Sequence, residues 1–370
     1  MTTQLPEPNF IERDADKITQ EWITLYEEKT GKKLQPAQIE RILIDVGVYR
    51  ENLLRIKIQE AAKSNLLNYA PLDILLHLGE LVGVERLLAE PSQTTIKFAV
   101  ETPFNYDIVI PEGTGVETFD GKYTFATTED CVIVSGATDT TVLAKCTITG
   151  SESNGYEANK VITLTTPIDE IAEVTNIDST YGGGDDEDVE SLRERIRLAP
   201  ESFSNAGSKG AYRFHTFSAH SSIKDVAVIS PSAGVVEIYP LTNTGNPDTG
   251  LIQIISDYLN QNHIRPLTDL VQVKPPQRVE FTINAVLYLY LDADMDAVQT
   301  MVQEKLQEYK DELASKLGKD IVPSQIITIL NSIYGVYKVE LETPTYQIVS
   351  ANQWADLINT NVTFGGYADE

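Results

Sequence analysis

Residues 192–215 read Leu192-Arg-Glu-Arg-Ile-Arg-Leu-Ala-Pro-Glu-Ser-Phe-Ser-Asn-Ala-Gly-Ser-Lys-Gly-Ala-Tyr-Arg-Phe-His215. With the preceding Val189-Glu-Ser, the first part is an amphipathic helix over residues 189–198, and residues 206–215 lead into a second helix. Arg193, Arg195, Arg197, Lys209 and Arg213 make this the most basic part of the chain, interleaved with Tyr212, Phe214 and Phe217. Such a mixture imitates a nucleic-acid surface, but Glu194 and Glu201 dilute it and four carboxylates at residues 185–188 lie beside it. Arg pairs bidentately with carboxylate, so ion pairing to that acidic run, within the chain or between subunits, is the expectation.

Immediately upstream, Tyr181-Gly-Gly-Gly-Asp-Asp-Glu-Asp188 reads as a flexible acidic hinge. It is no phosphate loop: no Lys-Ser/Thr follows the glycines, and the carboxylates repel phosphate. The same carboxylates suit a helix N-terminus, each contributing about 0.3–1 kcal/mol if exposed. A weak divalent-cation site there is the minor alternative. Downstream, strands are expected at residues 225–230, 234–241, 267–273, 279–291, 336–341 and 345–349. Helices are expected at 247–262 and 323–333. A long helix capped by Asp292 or Asp294 has Met295, Val298, Met301, Leu306, Tyr309, Leu313 and Leu317 on its apolar side. The alternation predicts α+β or α/β layers.

Further upstream the period changes. Residues 94–100, 106–110, 123–127, 131–134 and 140–148 are short strands rich in Thr and Val, separated by turn clusters such as Pro111-Glu-Gly-Thr-Gly115. This pattern predicts a small all-β sandwich or barrel. Cys131 and Cys146 lie in two of these strands and read as buried free thiols, a disulfide not being deducible from spacing. Residues 1–91 are helical. Asp14 caps a helix bearing Ile18, Trp22, Ile23, Leu25 and Tyr26, which Gly31 ends. Pro36 starts a second helix with Ile39, Leu43, Val46, Leu53 and Ile56. Unbroken to Tyr69, it would be about 50 Å long, a length that suits a multi-chain bundle. A short third helix runs from Leu72 to about Gly83. The fold class is thus α+β multidomain: a helical N-terminal region (1–91), a small all-β module (92–180) and a C-terminal mixed α/β region (181–370).

The chain has 370 residues and a formal net charge of −26. Of this, −15 belongs to residues 92–190, which hold 4 basic and 19 acidic residues. Nucleic acid and anionic membrane are disfavoured as partners. Residues 1–10 have neither a basic nor an apolar stretch of a secretory signal, and no run spans a bilayer, so synthesis in the cytoplasm is expected. Asp292-Ala-Asp294-Met-Asp296-Ala297 begins like a calcium loop but has Ala297 and Gln303 where Gly and Glu are needed, so it reads as a helix cap. His77, His215, His220 and His263 form no His-Glu-x-x-His, and no Gly-x-Ser-x-Gly elbow or Cys–His pairing is seen. No catalytic constellation, metal set or cofactor loop stands out, and the chain is expected not to be an enzyme.

The stretch 192–215 resembles the signature segment of the Baseplate J-like proteins of contractile phage tails. Ile223-Lys-Asp-Val-Ala-Val-Ile-Ser-Pro231, Arg265-Pro-Leu-Thr-Asp269 and Gly318-Lys-Asp-Ile321 are similar to that family too. So are Ile39-Glu-Arg-Ile-Leu-Ile-Asp45, Tyr49-Arg-Glu-Asn-Leu-Leu-Arg55, Ile58-Gln-Glu-Ala-Ala62 and Leu76-His-Leu-Gly-Glu-Leu-Val-Gly-Val84. Residues 92–175 match loosely. The resemblance implies a structural wedge subunit in the baseplate of a phage tail, bacteriocin-like particle or injection system. It would join wedges into a ring around the hub and couple to sheath contraction. Implied partners are other wedge proteins, neighbouring copies of itself, and hub and sheath-proximal proteins. The expected interface residues are Leu43, Val46, Leu53 and Ile56 in a multi-chain bundle, with Arg193, Arg195, Arg197, Tyr212 and Arg213 in the ring-forming region. The alternative is a receptor- or glycan-binding tail component using the β module; a third reading is a cell-wall hydrolase.

Overall fold

A computed structural model describes residues 6–203, 207–262 and 264–368. Ser204, Asn205 and Ala206 of the signature stretch, and His263, lie outside the described residues. The chain divides into two compact units, Met1–Glu85 and Arg86–Glu370.

The first unit holds α1 (Ala15–Thr30), α2 (Ile39–Lys63) and α3 (Leu72–Glu80). Asp14 caps α1 by accepting from Asp16 N and Lys17 N, and Gly31 ends it at φ 68°, where a Cβ would be strained. Ile18, Ile44 and Val48 form the core between α1 and α2. The α2 helix is shorter than the expected 36–69. Ser64 Oγ and Asn65 Nδ2 both donate to the Ala61 carbonyl, side chains competing for the last carbonyls where the helix stops. Its 25 residues span about 37 Å, not 50 Å.

The second unit begins with an antiparallel β module: β1 (Pro91–Ala99), β2 (Ile108–Ile110), β3 (Gly115–Thr118), β4 (Thr124–Thr127), β5 (Cys131–Ile133), β6 (Asp139–Thr149), β7 (Val161–Leu164) and β8 (Glu173–Asn176). Strand order is β7-β3-β4-β6-β1-β8, with β2-β5 as a separate pair. In β1 every second residue is buried. Ile96, Phe98, Ile110, Val116, Phe125 and Ala144 fill the interior. The sheet curls into a near-barrel whose seam, between β7 and β8, is stitched by a fully buried side chain. Asn176 Oδ1 accepts from Lys160 N and Val161 N at 2.8 Å each, and Nδ2 donates to the Glu157 and Asp178 carbonyls. Cys131 and Cys146 are buried free thiols. Burial pushes the Cys131 thiol up, and Glu129 and Asp130 add to it.

Next come α4 (Val189–Leu198), a 3-10 turn at Ala199–Phe203, α5 (Lys209–Ala219), β9 (Ile223–Ser232), β10 (Val235–Thr242), α6 (Thr249–Leu259) and β11 (Leu270–Val273). In the sheet β11-β10-β9, β10 is antiparallel to β9 and parallel to β11, with α6 as the crossover. Tyr212, Phe217, Ile238, Ile255 and Leu259 centre its core.

The last layer holds β12 (Gln277–Tyr290), α7 (Met295–Ala314), α8 (Pro323–Asn331), β13 (Val336–Thr343) and β14 (Gln353–Ala368), in sheet order β13-β12-β14. Phe281, Ile283, Ala285, Leu287 and Leu289 point inward from β12 at period two. Val298, Val302, Leu306, Tyr309 and Leu313 cover them from α7. Asp294 is the cap, accepting from Asp296 N and Ala297 N. The expected strand at 345–349 is instead an irregular segment. It follows Pro344, and Gln347 bridges only to Ile321 while Tyr346 Oη donates to Asp320. The long β14 takes its place beside β12.

Candidate assembly surfaces

The α2 helix has two apolar faces. Ile44, Val48 and Gln59 are buried on one. Leu43, Val46, Leu53 and Ile56 are 67%, 58%, 41% and 40% exposed. At about 100° per residue these four lie on the side opposite Ile44 and Val48, with Ile39, Ile42 and Tyr49 on the same stripe and equally open. Local contacts fix which way the stripe points. Trp22 packs over Gly47, where an added Cβ would lie 3.0 Å from its ring. Trp22 Nε1 also donates to Glu51. That hydrogen bond, then those from Arg55, hold the Glu51 carboxyl below its usual range. Gln59 binds the extended N-terminal segment at both ends, donating to the Pro8 carbonyl at 2.7 Å and accepting from Phe10 N at 2.9 Å. The helix therefore cannot roll its apolar stripe inward.

The basic stretch behaves differently. Glu187 and Arg195, 1% and 4% exposed, form a bidentate pair at 2.7 and 3.0 Å. Glu187 also accepts from Leu87 N, and its carbonyl accepts from Arg86. Arg193 and Arg197 pair with Glu190 and Glu194 one turn away. Tyr212 is buried and donates to Asp269 at 2.8 Å, joining the signature stretch to the Arg265–Asp269 motif. Burial, then Asp269, pushes the Tyr212 phenol up. In the isolated chain Arg193, Arg195 and Tyr212 are thus spent on contacts within the fold, with little surface left open. Arg213 keeps an open side chain, with Asp225 at 3.3 Å, and Arg197 is about one-third exposed.

The expected flexible hinge is a fastened junction. Tyr181 and Gly184 bridge to Gln93 and Glu90, and Gly182, Gly183 and Gly184 are buried. A Cβ on Gly183 would lie 2.4 Å from the Gly150 carbonyl, and one on Gly184 would lie 2.8 Å from His220. The glycines permit close approach, not motion. Each following carboxylate has its own donors: Asp185 from Ser151, Asp186 from Arg86 and Ala89 N, Glu187 from Arg195, and Asp188 from Lys224 and the first turn of α4. This leaves no free set of ligands for the divalent cation. Burial pushes the Asp188 carboxyl up, but the hydrogen bonds from Lys224 and Ser191 outweigh it and bring it down to about 2. Among the described residues no group of three His, Cys, Asp or Glu is placed to hold a metal, and no helix is long and apolar enough to cross a membrane. Glu187 and the seam residue Asn176 carry no individual signal in the sequence beyond, for the first, the proximity of an acidic run to an arginine run, and Asp269 stands out only as the end of the Arg265–Asp269 motif.

Four family models match in chain order. They are the Baseplate J-like protein N-terminal domain over residues 41–93, the barrel domain over 95–183, the central domain over 204–275 and the C-terminal domain over 281–365. The chain is 36% identical over 180 residues to baseplate protein J of Escherichia phage P2, which covers 48% of this chain and 59% of the phage protein. The match therefore spans about three-fifths of that relative's length. A chain of the anti-feeding prophage baseplate, solved by cryo-EM with six-fold symmetrisation, aligns with a TM-score of 0.41 at 12% identity, covering 94% of this chain and 90% of that one.

Proposed function

Since the chain belongs to the Baseplate J-like family, we propose that it is a structural, non-enzymatic component of the baseplate of a contractile tail or related injection particle. It acts there as a wedge subunit that joins neighbouring wedges into a ring around the hub and couples to the sheath. Its partners are other baseplate proteins and further copies of itself. The observation that carries the wedge reading is the second apolar face of α2. A stripe of Ile, Leu, Val and Tyr along most of a 25-residue helix, held outward by the packing of the opposite face, fits helices of other chains in a bundle. Each large apolar side chain buried there contributes about 1.5–3 kcal/mol to association.

Leu53→Asp tests this. The side chain is open in the isolated chain, so folding is retained, as circular dichroism checks. In a bundle the carboxylate is buried unpaired and costs about 3 kcal/mol or more, roughly a hundredfold in affinity. The expected outcome is loss of the variant from purified particles. Normal stoichiometry of a folded Leu53→Asp chain in particles removes the bundle assignment.

A further inference from the structure

The two ends of α7 carry surfaces of opposite character. At its start, Leu291, Met295 and Tyr334 are exposed, and Tyr290 and Tyr337 meet edge to face with centroids 5.3 Å apart. The Tyr290 amide donates to Gly335, which packs against Ala293, so these residues form one tip. Tyr and Met are enriched in interface centres. Exposed carboxylates rim the tip: Asp292 and Asp296 make no ion pair among the described residues. Past the other end of α7, a groove of about 450 Å³ runs between α5, β9 and the Leu317–Gly318 turn. Its walls are apolar at Val226, Val228 and Leu317, and its rim carries Lys209 and Arg213, one turn apart on α5. Lys209 makes no ion pair among the described residues. Arg213 has Asp225 at 3.3 Å, but its buried Nε has no hydrogen-bond partner. Asp225 itself is held by Leu317 N. In a chain of net charge −26, an apolar groove whose rim carries Lys209 without an ion pair and Arg213 with an unpartnered Nε is an exception that calls for a carboxylate-bearing occupant.

The tip supplies matching chemistry, apolar at its centre and acidic at its rim. It cannot reach the groove of its own copy: the 20 residues of α7 separate them by about 30 Å. We propose that the tip of one copy docks into the Lys209–Arg213 groove of the next, a head-to-tail contact between copies of this chain. A heterologous contact of this kind closes into a ring when its rotation permits, so the inference rests on the ring-forming reading above and gives it a specific joint.

The test is zero-length carbodiimide cross-linking of an equal mixture of nitrogen-15-labelled and unlabelled full chain at low ionic strength, read by mass spectrometry. The expected product joins Lys209 of one isotope to Asp292 or Asp296 of the other. Lys209→Glu alone, or Asp292→Lys with Asp296→Lys, lowers self-association in sedimentation at least tenfold. Combining Lys209→Glu with the two aspartate reversals restores it. These positions are exposed, so the variants fold. Mixed-isotope links confined to other surfaces, or a combined variant no better than the single reversals, overturn the proposal. Applied to purified particles, the same cross-linking separates two failures: absence of the chain sinks the assembly reading, whereas its presence without the tip–groove link sinks only this joint.

Discussion

Glu187 and Arg195 were legible only as neighbouring runs of opposite charge. What the sequence did not contain is that both side chains are buried, so that neither has water to fall back on. Removing one partner therefore matters far more than losing a surface ion pair. Glu187→Gln or Arg195→Met is expected to lower unfolding free energy in denaturant titration by about 3–5 kcal/mol, whereas joint replacement by Met recovers much of it. Equal losses in the single and joint variants contradict this account. Asn176 had no signal at all, being one of several asparagines among short strands. Its four hydrogen bonds across the seam give Asn176→Ala an expected cost of about 1–3 kcal/mol for each polar group left buried and unpaired. Hydrogen exchange at Lys160 and Val161 should quicken in that variant; unchanged protection there removes the seam role.

Helices with capping residues and a single period are legible in the sequence: Asp14 caps α1, Asp294, one of the two candidates, caps α7, and residues 189–198 are helical throughout. Departures from the sequence pattern have physical causes. Helix α2 stops early where the Ser64 and Asn65 side chains both turn back onto the Ala61 carbonyl, although apolar spacing continues to Tyr69. Strands β3, β7 and β8, four residues each, were not among the expected strands, although β2, β4 and β5 are no longer than these and were. Strand β14 carries Asn359, Asn361, Gly365 and Gly366, residue types depleted in strands, and is held as a strand by its long pairing with β12. The triple glycine looked like freedom and is close packing. One element has a pH signature. Asp188 at the start of α4 is depressed from 3.8 to about 2, so its charge stabilises the fold fully above about pH 4 and loses that effect as pH falls towards 2. Asn caps a helix as well as Asp, so Asp188→Asn removes only the charge. The melting-temperature gap between wild type and Asp188→Asn should shrink over that interval; a gap that widens on acidification contradicts the assignment.

For the whole molecule, the division into a helical region, an acidic β module and a mixed α/β region was visible from periodicity and charge, and the resemblance to Baseplate J-like proteins was visible in the signature stretch. The acidity of residues 92–190 sits outside an apolar core, and among the described residues of the barrel only Lys97 and Lys122 pair with its carboxylates. In the reading proposed above, that charge keeps the module solvated and leaves assembly to surfaces where apolar groups are exposed, above all α2. Cryo-EM of the native particle containing this chain tests that claim most directly. The account predicts helices of other chains packed along Leu43, Val46, Leu53 and Ile56 at interaxial distances of about 8–10 Å; a mature baseplate in which this stripe faces solvent contradicts it.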